Sequence, residues 1–491
     1  MAAYDRPEHL FDRDREWADL TAFAAAPGGG PEIGIVHGRR RQGKSYLLRA
    51  LTAQMGGLYH QALEEERAAA LASIGATLAA DAGVDAPVAL ASWDAAIRAI
   101  IGRASGARLT VLDEFPFLAH KAPELPSVIQ RVFDDSRSGS VPPFRLVLCG
   151  SAMSVMNDLL SGARPLRGRA SLQLLVRSFD YRTSAEFWGI RDPATAFLVD
   201  AVVGGTPGYR DLLPAQVPAR AGAFFDWLAA GVLNPSHALF SESEYLLTED
   251  PSISDRALYQ SVLGAITRGA HTQREIGSRL GRTDQAMQHP LVVLERAGFI
   301  RRDADVLLGR RPLIRLDDPM LRFHHAIMRP DLARFEERRT HEAWGAAQAR
   351  FEAQVLGPHF EELARTWTAR FASAATLGGA PQRVGFTQVN DPVGRDRFEL
   401  DVVAVSGERR PDESRPVLLA MGEAEGGAGR RGLADLARLD RLRALLSARA
   451  VTDSARLLLF ARGGFDRDLV AAARERTDVE LVDLDRLYSG S

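Results

Sequence analysis

The sequence is nearly devoid of lysine, cysteine and net charge. Of its 61 basic residues only Lys44 and Lys121 are lysine, and the rest are arginine. Against such a drift toward arginine, a retained lysine marks a position that needs a compact ammonium rather than a flat guanidinium. The single cysteine, Cys149, has no partner for an internal disulfide. The charged opening Met1-Ala-Ala-Tyr-Asp-Arg-Pro-Glu8 lacks the apolar core of a signal peptide, and no stretch reaches the ~18 unbroken apolar residues of a membrane span. These absences lead to the expectation of a reducing, cytoplasmic compartment and no membrane partner. The 63 acidic residues leave a net charge of −2. No whole-molecule field therefore draws the chain to nucleic acid, and any such contact has to come from a local patch. Internal repeats and low-complexity tracts are also missing. What is present is the balance of an ordinary globular protein, 46% hydrophobic and 25% charged over 491 residues. That length suggests about three domains.

Glu32-Ile-Gly-Ile-Val-His37 reads as a short buried strand, and Tyr46-Leu-Leu-Arg-Ala-Leu51 as the start of a helix. Between them lies Gly38-Arg39-Arg40-Arg41-Gln42-Gly43-Lys44-Ser45, a GxxxxGKS loop. A loop of this spacing turns its backbone N–H groups inward around phosphates, its glycines permit the turn, and the following helix N-terminus adds favourable potential. The candidate nucleotide-binding stretch thus runs from Gly38 to Tyr46. Lys44 would reach the β and γ phosphates, and the Ser45 hydroxyl would ligate magnesium. A second strand, Arg108-Leu-Thr-Val-Leu112, runs into Asp113-Glu114. Carboxylates at the C-terminal end of such a strand stand where open α/β sheets bind ligands. Asp113 suits the magnesium shell, and Glu114 suits the base that orients the attacking water. A third strand, Phe144-Arg-Leu-Val-Leu-Cys-Gly-Ser151, ends in Ser151, placed to touch the γ-phosphate or the water. Cys149, inside that strand, is expected to pack as a small hydrophobe.

These segments, with Leu112-Asp-Glu-Phe-Pro-Phe-Leu118, Leu148-Cys-Gly-Ser151 and Pro165-Leu-Arg-Gly-Arg169, resemble the prokaryotic "archaeal ATPase" family of AAA+/STAND P-loop ATPases. Leu10-Phe-Asp-Arg13 resembles the entry motif of that family, and Gly204-Gly-Thr-Pro207 the element its lid lays near the adenine. The resemblance implies an α/β P-loop NTPase fold of parallel sheet with helices on both faces, ATP and Mg2+ as ligands, and Pro207 beside the base. It also implies that Arg169 meets the γ-phosphate in cis or from a neighbouring subunit, with Arg167 as runner-up. Action from a neighbour would require a homo-oligomer.

The expected organisation is an ATPase core over 1–178, a helical lid over 179–250, a winged helix over 251–330 and a small α/β domain over 331–491. Thr183-Ser-Ala-Glu186 reads as a capping box opening the lid, and Thr272-Gln-Arg-Glu275 as another within a helix-turn-helix. Gly298-Phe-Ile-Arg-Arg302 and Leu307 to Leu316 read as the strands of a wing. Arg282, Arg301, Arg302, Arg310 and Arg311 could meet DNA phosphates. The recognition helix offers Gln285, Gln288 and His289 but no arginine for guanine, and Pro290 is expected to deform it. A winged helix that packs only against the ATPase is the equal alternative.

Further on come a helix containing Gly357-Pro-His-Phe-Glu361, a strand Arg397-Phe-Glu-Leu-Asp401-Val-Val-Ala-Val405, and a strand Pro416 to Glu425 ending Glu423-Ala-Glu425. Asp401 and Glu423 on neighbouring strands could converge on a second, hard divalent metal that activates water against a phosphodiester. The pattern is similar to the restriction-endonuclease-like C-terminal extension of the same family, which carries an acid on its first helix, an aspartate in a strand and Glu-x-Lys on the next. Glu361, Asp401 and Glu423 match, whereas Glu425 stands at the lysine position. A carboxylate there can serve as base or ligand; equally, the positive charge that would stabilise the transition state is missing and the site only binds. Two readings follow: an ATPase that switches a DNA-cutting domain, or an ATP-gated regulatory switch whose C-terminal domain binds without chemistry.

Overall fold

The computed structural model describes residues 4–491 apart from 27–28, 104–107, 163, 214–215, 310–311, 392–394 and 408–413. The N-terminal sheet is built from β1 (Glu32–His37), β2 (Leu58–Gln61), β3 (Leu109–Asp113), β4 (Arg145–Gly150) and β5 (Ala170–Leu175). Their order is β2-β3-β4-β1-β5, every pair is parallel, and helices cover both faces. Burial on both faces explains why the middle strands are near-continuous apolar runs. Every residue of β3 and β4 is buried. One apolar cluster lies on the side of Ile33, Ile35 and Leu148 and another on the side of Val36, Val147 and Cys149. Cys149 is fully buried, as expected of a small hydrophobe.

This order puts β4 between the strand that feeds the phosphate loop and the strand that ends in Asp113. The chain leaving β4 therefore emerges between the two halves of the site. Gly150 is required there, because a Cβ would stand 2.4 Å from Cδ of Pro116 in the Asp113-Glu-Phe-Pro116 turn.

The lid contains helices Tyr181–Trp188, Pro193–Val203, Phe224–Ala230 and Glu242–Thr248. Its first helix opens two residues before the Thr183 capping box expected from the sequence. Asp180 is the cap, and its carboxylate accepts from the N–H groups of Arg182 and Thr183. A carboxylate outcompetes a hydroxyl for these unpaired amides. The winged helix has helices Arg256–Thr267, Gln273–Arg279 and Asp284–Arg296 and an antiparallel pair of β6 (Ile300–Asp303) and β7 (Leu313–Leu316), the second strand shorter than the stretch from Leu307 to Leu316 expected. Thr272 and Glu275 make their reciprocal capping box. Pro290 does not break the recognition helix, which runs unbroken across it. The proline is buried, while Ala286, whose carbonyl loses its intrahelical donor, lies in an exposed turn open to water.

The C-terminal sheet, in order β12-β11-β10-β9-β8, comprises β8 (Pro381–Asp391), β9 (Asp396–Ser406), β10 (Leu418–Glu425), β11 (Arg456–Ala461) and β12 (Val479–Val482). The first three strands pair antiparallel and the last three parallel. Helix Gly357–Arg370 packs on one face and helix Leu433–Leu446 on the other. A single apolar cluster runs from the lid (Phe197, Trp227) through Phe360 and Trp367 into Val402, Leu458 and Phe460 of this sheet. Lid and C-terminal sheet thus share one core, separate from the clusters of the ATPase sheet. Among the described residues, no helix is long and apolar enough to cross a membrane.

Candidate functional site: a phosphate loop clamped by distant carboxylates

Gly43 adopts φ 89°, a left-handed conformation open to glycine, and hands the chain to helix Lys44–Met55. Lys44 is buried and donates to the Arg39 carbonyl at 2.9 Å, bridging the loop it closes. Arg13, from the entry motif, braces the loop from outside, donating to the carbonyls of Gln42 (3.1 Å) and Arg177 (2.8 Å) while stacking on Phe179.

Asp113 is fully buried at the end of β3. Burial pushes its pKa up, but hydrogen bonds from Cys149, Ser45, Tyr59 and the Glu114 N–H outweigh it and hold the carboxyl below its ordinary range. Ser45 and Asp113 thus offer adjacent hard oxygen donors, a set that fits Mg2+. Glu114 behaves oppositely: burial and the neighbouring Asp113 raise its pKa, partly countered by Lys44 and Ser151. Glu114 is held at φ 53°, uncommon for a non-glycine residue, and Ser151 Oγ donates to its carboxylate at 3.2 Å. Thus Lys44, Ser45, Asp113, Glu114 and Ser151 gather at one edge of the sheet, as their strand positions indicated. Tyr59, whose hydroxyl bonds Asp113, was not singled out in the sequence. Its place on β2, paired with Val111 of β3, is the signal that could have found it.

A cavity of about 540 Å³ opens over the loop, with Gly43, Lys44 and Ser45 at its polar end. Its apolar side is built from Phe11, Phe179 and Phe187, whose ring centroids lie 5.3–5.8 Å apart, with Tyr46 and Pro207. Pro207, which the resemblance sets beside the base, lines this cavity together with an aromatic trio outside the residues chosen from sequence. Gly208 N–H donates to the Arg41 carbonyl at 3.0 Å, tying the lid to the loop.

The three loop arginines each meet a carboxylate from another part of the chain. Arg39 pairs with Asp318 at 2.6 Å and lies over the Phe299 ring. Arg40 pairs with Glu249. Arg41 pairs bidentately with Glu242, at 2.8 and 3.0 Å, and the Glu242 side chain is wholly buried. Beside them, Asp250 accepts from the Ser154 N–H and hydroxyl, linking the segment after Ser151 to the junction of lid and winged helix.

Arg169 does not enter this cavity. It lies immediately before β5, whose first residue, Ala170, pairs with Ile33, whereas the loop leaves after His37. That is roughly 13 Å away along the strand at about 3.3 Å per residue. Its guanidinium instead pairs with Asp134 at 3.0 Å. Arg167 is exposed and donates to the Gly162 carbonyl. Neither arginine lines the cavity over the phosphate loop.

In the C-terminal domain Asp401 and Glu423 do not converge. Asp401 gathers with Glu361 and Glu399 in a cluster whose carboxylate oxygens lie within 4.8 Å of one another. Burial first, then Glu361, raises its pKa well above the ordinary value, and the Ala424 N–H donates to it at 2.8 Å. Glu423 instead turns toward helix Leu433–Leu446, where Arg438 pairs with it at 3.0 Å, and Glu425 pairs with Arg431. The cause is local. The β8–β9 register slips between Gly385 and Thr387, whose partners are Val403 and Leu400, so β9 carries an extra residue at Asp401. A bulge of this kind re-aims one side chain. Arg315 from β7 already pairs with Glu399 (2.5 Å) and Glu361 (3.4 Å). Of the residues expected to hold a second metal, Asp401 and Glu361 therefore lie together, with Glu399, whereas Glu423 and Glu425 are drawn away to Arg438 and Arg431.

The wing arginines are similarly engaged. Arg301 pairs with Asp303, Asp317 and Glu362, and Arg302 with Glu295. Arg310 and Arg311 lie outside the described residues. Arg282, Gln285, Gln288 and His289 are exposed.

The sheet order and phosphate loop define the fold as that of a P-loop NTPase with a helical lid, a winged helix and a second α/β sheet, the arrangement the resemblance implied. No family model matches the chain. It is 23% identical over 312 residues to an uncharacterized protein of Methanocaldococcus jannaschii, a match spanning 62% of this chain and 66% of that protein, just under two thirds. Similar solved structures include the Walker-type ATPase of Pyrococcus abyssi, 18% identical with TM-score 0.48, covering 66% of this chain and 98% of that one. Another is the ORC2 protein of Aeropyrum pernix, 14% identical with TM-score 0.42, covering 71% and 98%.

Proposed function

We propose that the protein binds and hydrolyses MgATP and uses the nucleotide state to reposition its lid, winged helix and C-terminal domain. The observation that carries this reading is the gathering of Lys44, Ser45, Asp113, Glu114 and Ser151 at one edge of the sheet, with Lys44, Ser45 and Glu114 lining one 540 Å³ cavity that has an aromatic flank. Lys44 and the loop amides hold the phosphates, and Ser45 and Asp113 hold Mg2+, which supplies charge neutralisation at the β and γ phosphates. Glu114, kept in place by Ser151, accepts a proton from the attacking water. Its raised pKa brings it closer to neutral pH, where a general base works best.

Coupling runs through the carboxylate clamps. The loop arginines contact the lid at Glu242 and Glu249 and the end of the winged helix at Asp318, so a change in the loop is felt in both. Because lid and C-terminal sheet share a core, displacement of the lid carries the C-terminal domain with it. Glu114→Gln is expected to keep nucleotide binding and lose turnover.

For the C-terminal domain we favour a binding role, because Glu423 faces away from Asp401 and Arg315 neutralises Glu361 and Glu399. DNA is the partner we infer, met by Arg282 and the open face of the recognition helix, with affinity falling steeply as salt rises. Incubation with supercoiled and linear DNA, Mg2+ or Mn2+, and with or without ATP should give no cutting beyond an Asp401→Ala control. Metal-dependent cutting abolished in that control would establish a nuclease instead. Assembly into a homo-oligomer would bring Arg169 to a neighbour's γ-phosphate.

A further inference from the structure

A second cavity, of about 250 Å³, lies between the winged helix and helix Gly357–Arg370, and none of its lining residues belongs to the phosphate loop. Five guanidinium groups surround it: Arg268 at the end of helix Arg256–Thr267, Arg301 from β6, Arg315 from β7, Arg322 from helix Pro319–Phe323, and Arg365. Among the described residues a single carboxylate, that of Glu362, shares the lining. Glu362 divides itself between Arg301 (2.6 Å) and Arg322 (3.3 Å). Arg315 directs its ion pairs outward, to Asp303, Glu361 and Glu399.

The hydrogen-bonding account does not close. Arg322 is only 5% exposed, yet among the described residues its Nη1 has no partner, and Nη2 of Arg365 is buried in the same condition. Buried donors of this strength are seldom left unpaired. Burial first, then the nearby Arg315, lowers the pKa of Arg365, against the opposing pull of Glu361 and Glu362.

We propose that this cavity is a binding site for a phosphate-class dianion, the terminal phosphate of a phosphomonoester. The donors come from five elements and approach from different directions, which suits a tetrahedral oxyanion better than a planar carboxylate. The volume is below the ~300 Å³ at which pockets for drug-sized ligands begin, so it accommodates a phosphate with a small substituent. Bound there, the anion bridges the winged helix to the C-terminal domain, and a turn of the Arg322 and Arg365 guanidinium groups toward it gives their unpartnered nitrogens acceptors.

The test is calorimetric titration of the full chain with inorganic phosphate, at constant ionic strength and with the nucleotide site already saturated by MgADP. One equivalent is expected to bind. Arg365→Met and the exposed-site variant Arg268→Ala should each weaken it by about tenfold or more, with ADP affinity unchanged. Absence of saturable binding, or equal affinity in well-folded Arg268→Ala and the unaltered chain, would overturn the proposal. Competition by a 5′-phosphorylated oligonucleotide but not its 5′-hydroxyl counterpart assigns the phosphate to a nucleic-acid end. Failure of both to compete, with phosphate still bound, assigns it to a small phosphate ester.

Discussion

Glu242 offers the sharpest perturbation of the coupling between phosphate loop and lid. Its side chain is wholly buried and accepts two hydrogen bonds from Arg41, at 2.8 and 3.0 Å. Glu242→Gln keeps the shape, removes the charge and sets an amide N–H against one of the guanidinium donors. Hydrogen bonds to charged groups contribute about 1.5–3 kcal/mol, and breaking a buried ion pair from one side costs about 3–5 kcal/mol. Arg41 retains some contact with water, so the lower figure applies. About 1.5–3 kcal/mol is roughly a tenfold to hundredfold rise in the open population of helix Glu242–Thr248. Hydrogen exchange reads this directly: amides of that helix and of the phosphate loop should lose protection by that factor, while those of helix Leu433–Leu446 keep theirs. Unchanged protection in the lid helix, or equal loss in both helices, would refute the clamp as the connection between loop and lid.

Two further outcomes follow from the site. The raised pKa of Glu114 favours its neutral form in the folded chain, so its contribution to stability is fully present below its ordinary value of 4.5 and is lost as pH rises through the folded value. Glu114→Gln mimics the neutral form, so nucleotide-free Glu114→Gln should melt above the unaltered chain at pH 7–8, with the difference vanishing near pH 4; equal melting temperatures across that range would remove the desolvation argument. Arg169→Ala breaks only a partly exposed pair with Asp134, worth about 0–1 kcal/mol, so stability should hardly change. Arginine supplied by a neighbour accelerates hydrolysis by about 10³–10⁵; turnover should therefore rise more than linearly with protein concentration and lose that rise in the variant, whereas linear, undiminished turnover would exclude Arg169 from the chemistry.

The phosphate loop, Asp113, Glu114 and Ser151 were legible because each sits at a strand end, and a parallel sheet aligns its strand ends whatever the remaining fold does. The winged helix was legible for a similar reason, since caps and turns are local. The clamps were not, because Arg41 and Glu242 are separated by 201 positions, and nothing in a local pattern says which carboxylate a surface arginine will meet. Arg301 and Arg302 misled for that reason: they read as charges open to phosphate, and folding spends them on Glu295, Asp317 and Glu362. Asp401 and Glu423 failed differently. Strict alternation put them on one face, and one extra residue in β9 separated them and brought in Glu399, which had looked like an ordinary strand acid.

The decisive comparison is single-turnover hydrolysis and equilibrium binding of MgATP by the full chain and by Glu114→Gln. The predicted result is binding retained within a few-fold and hydrolysis slowed by about 10²–10⁴. Hydrolysis at the unaltered rate in Glu114→Gln, or no nucleotide binding by the unaltered chain, would contradict it.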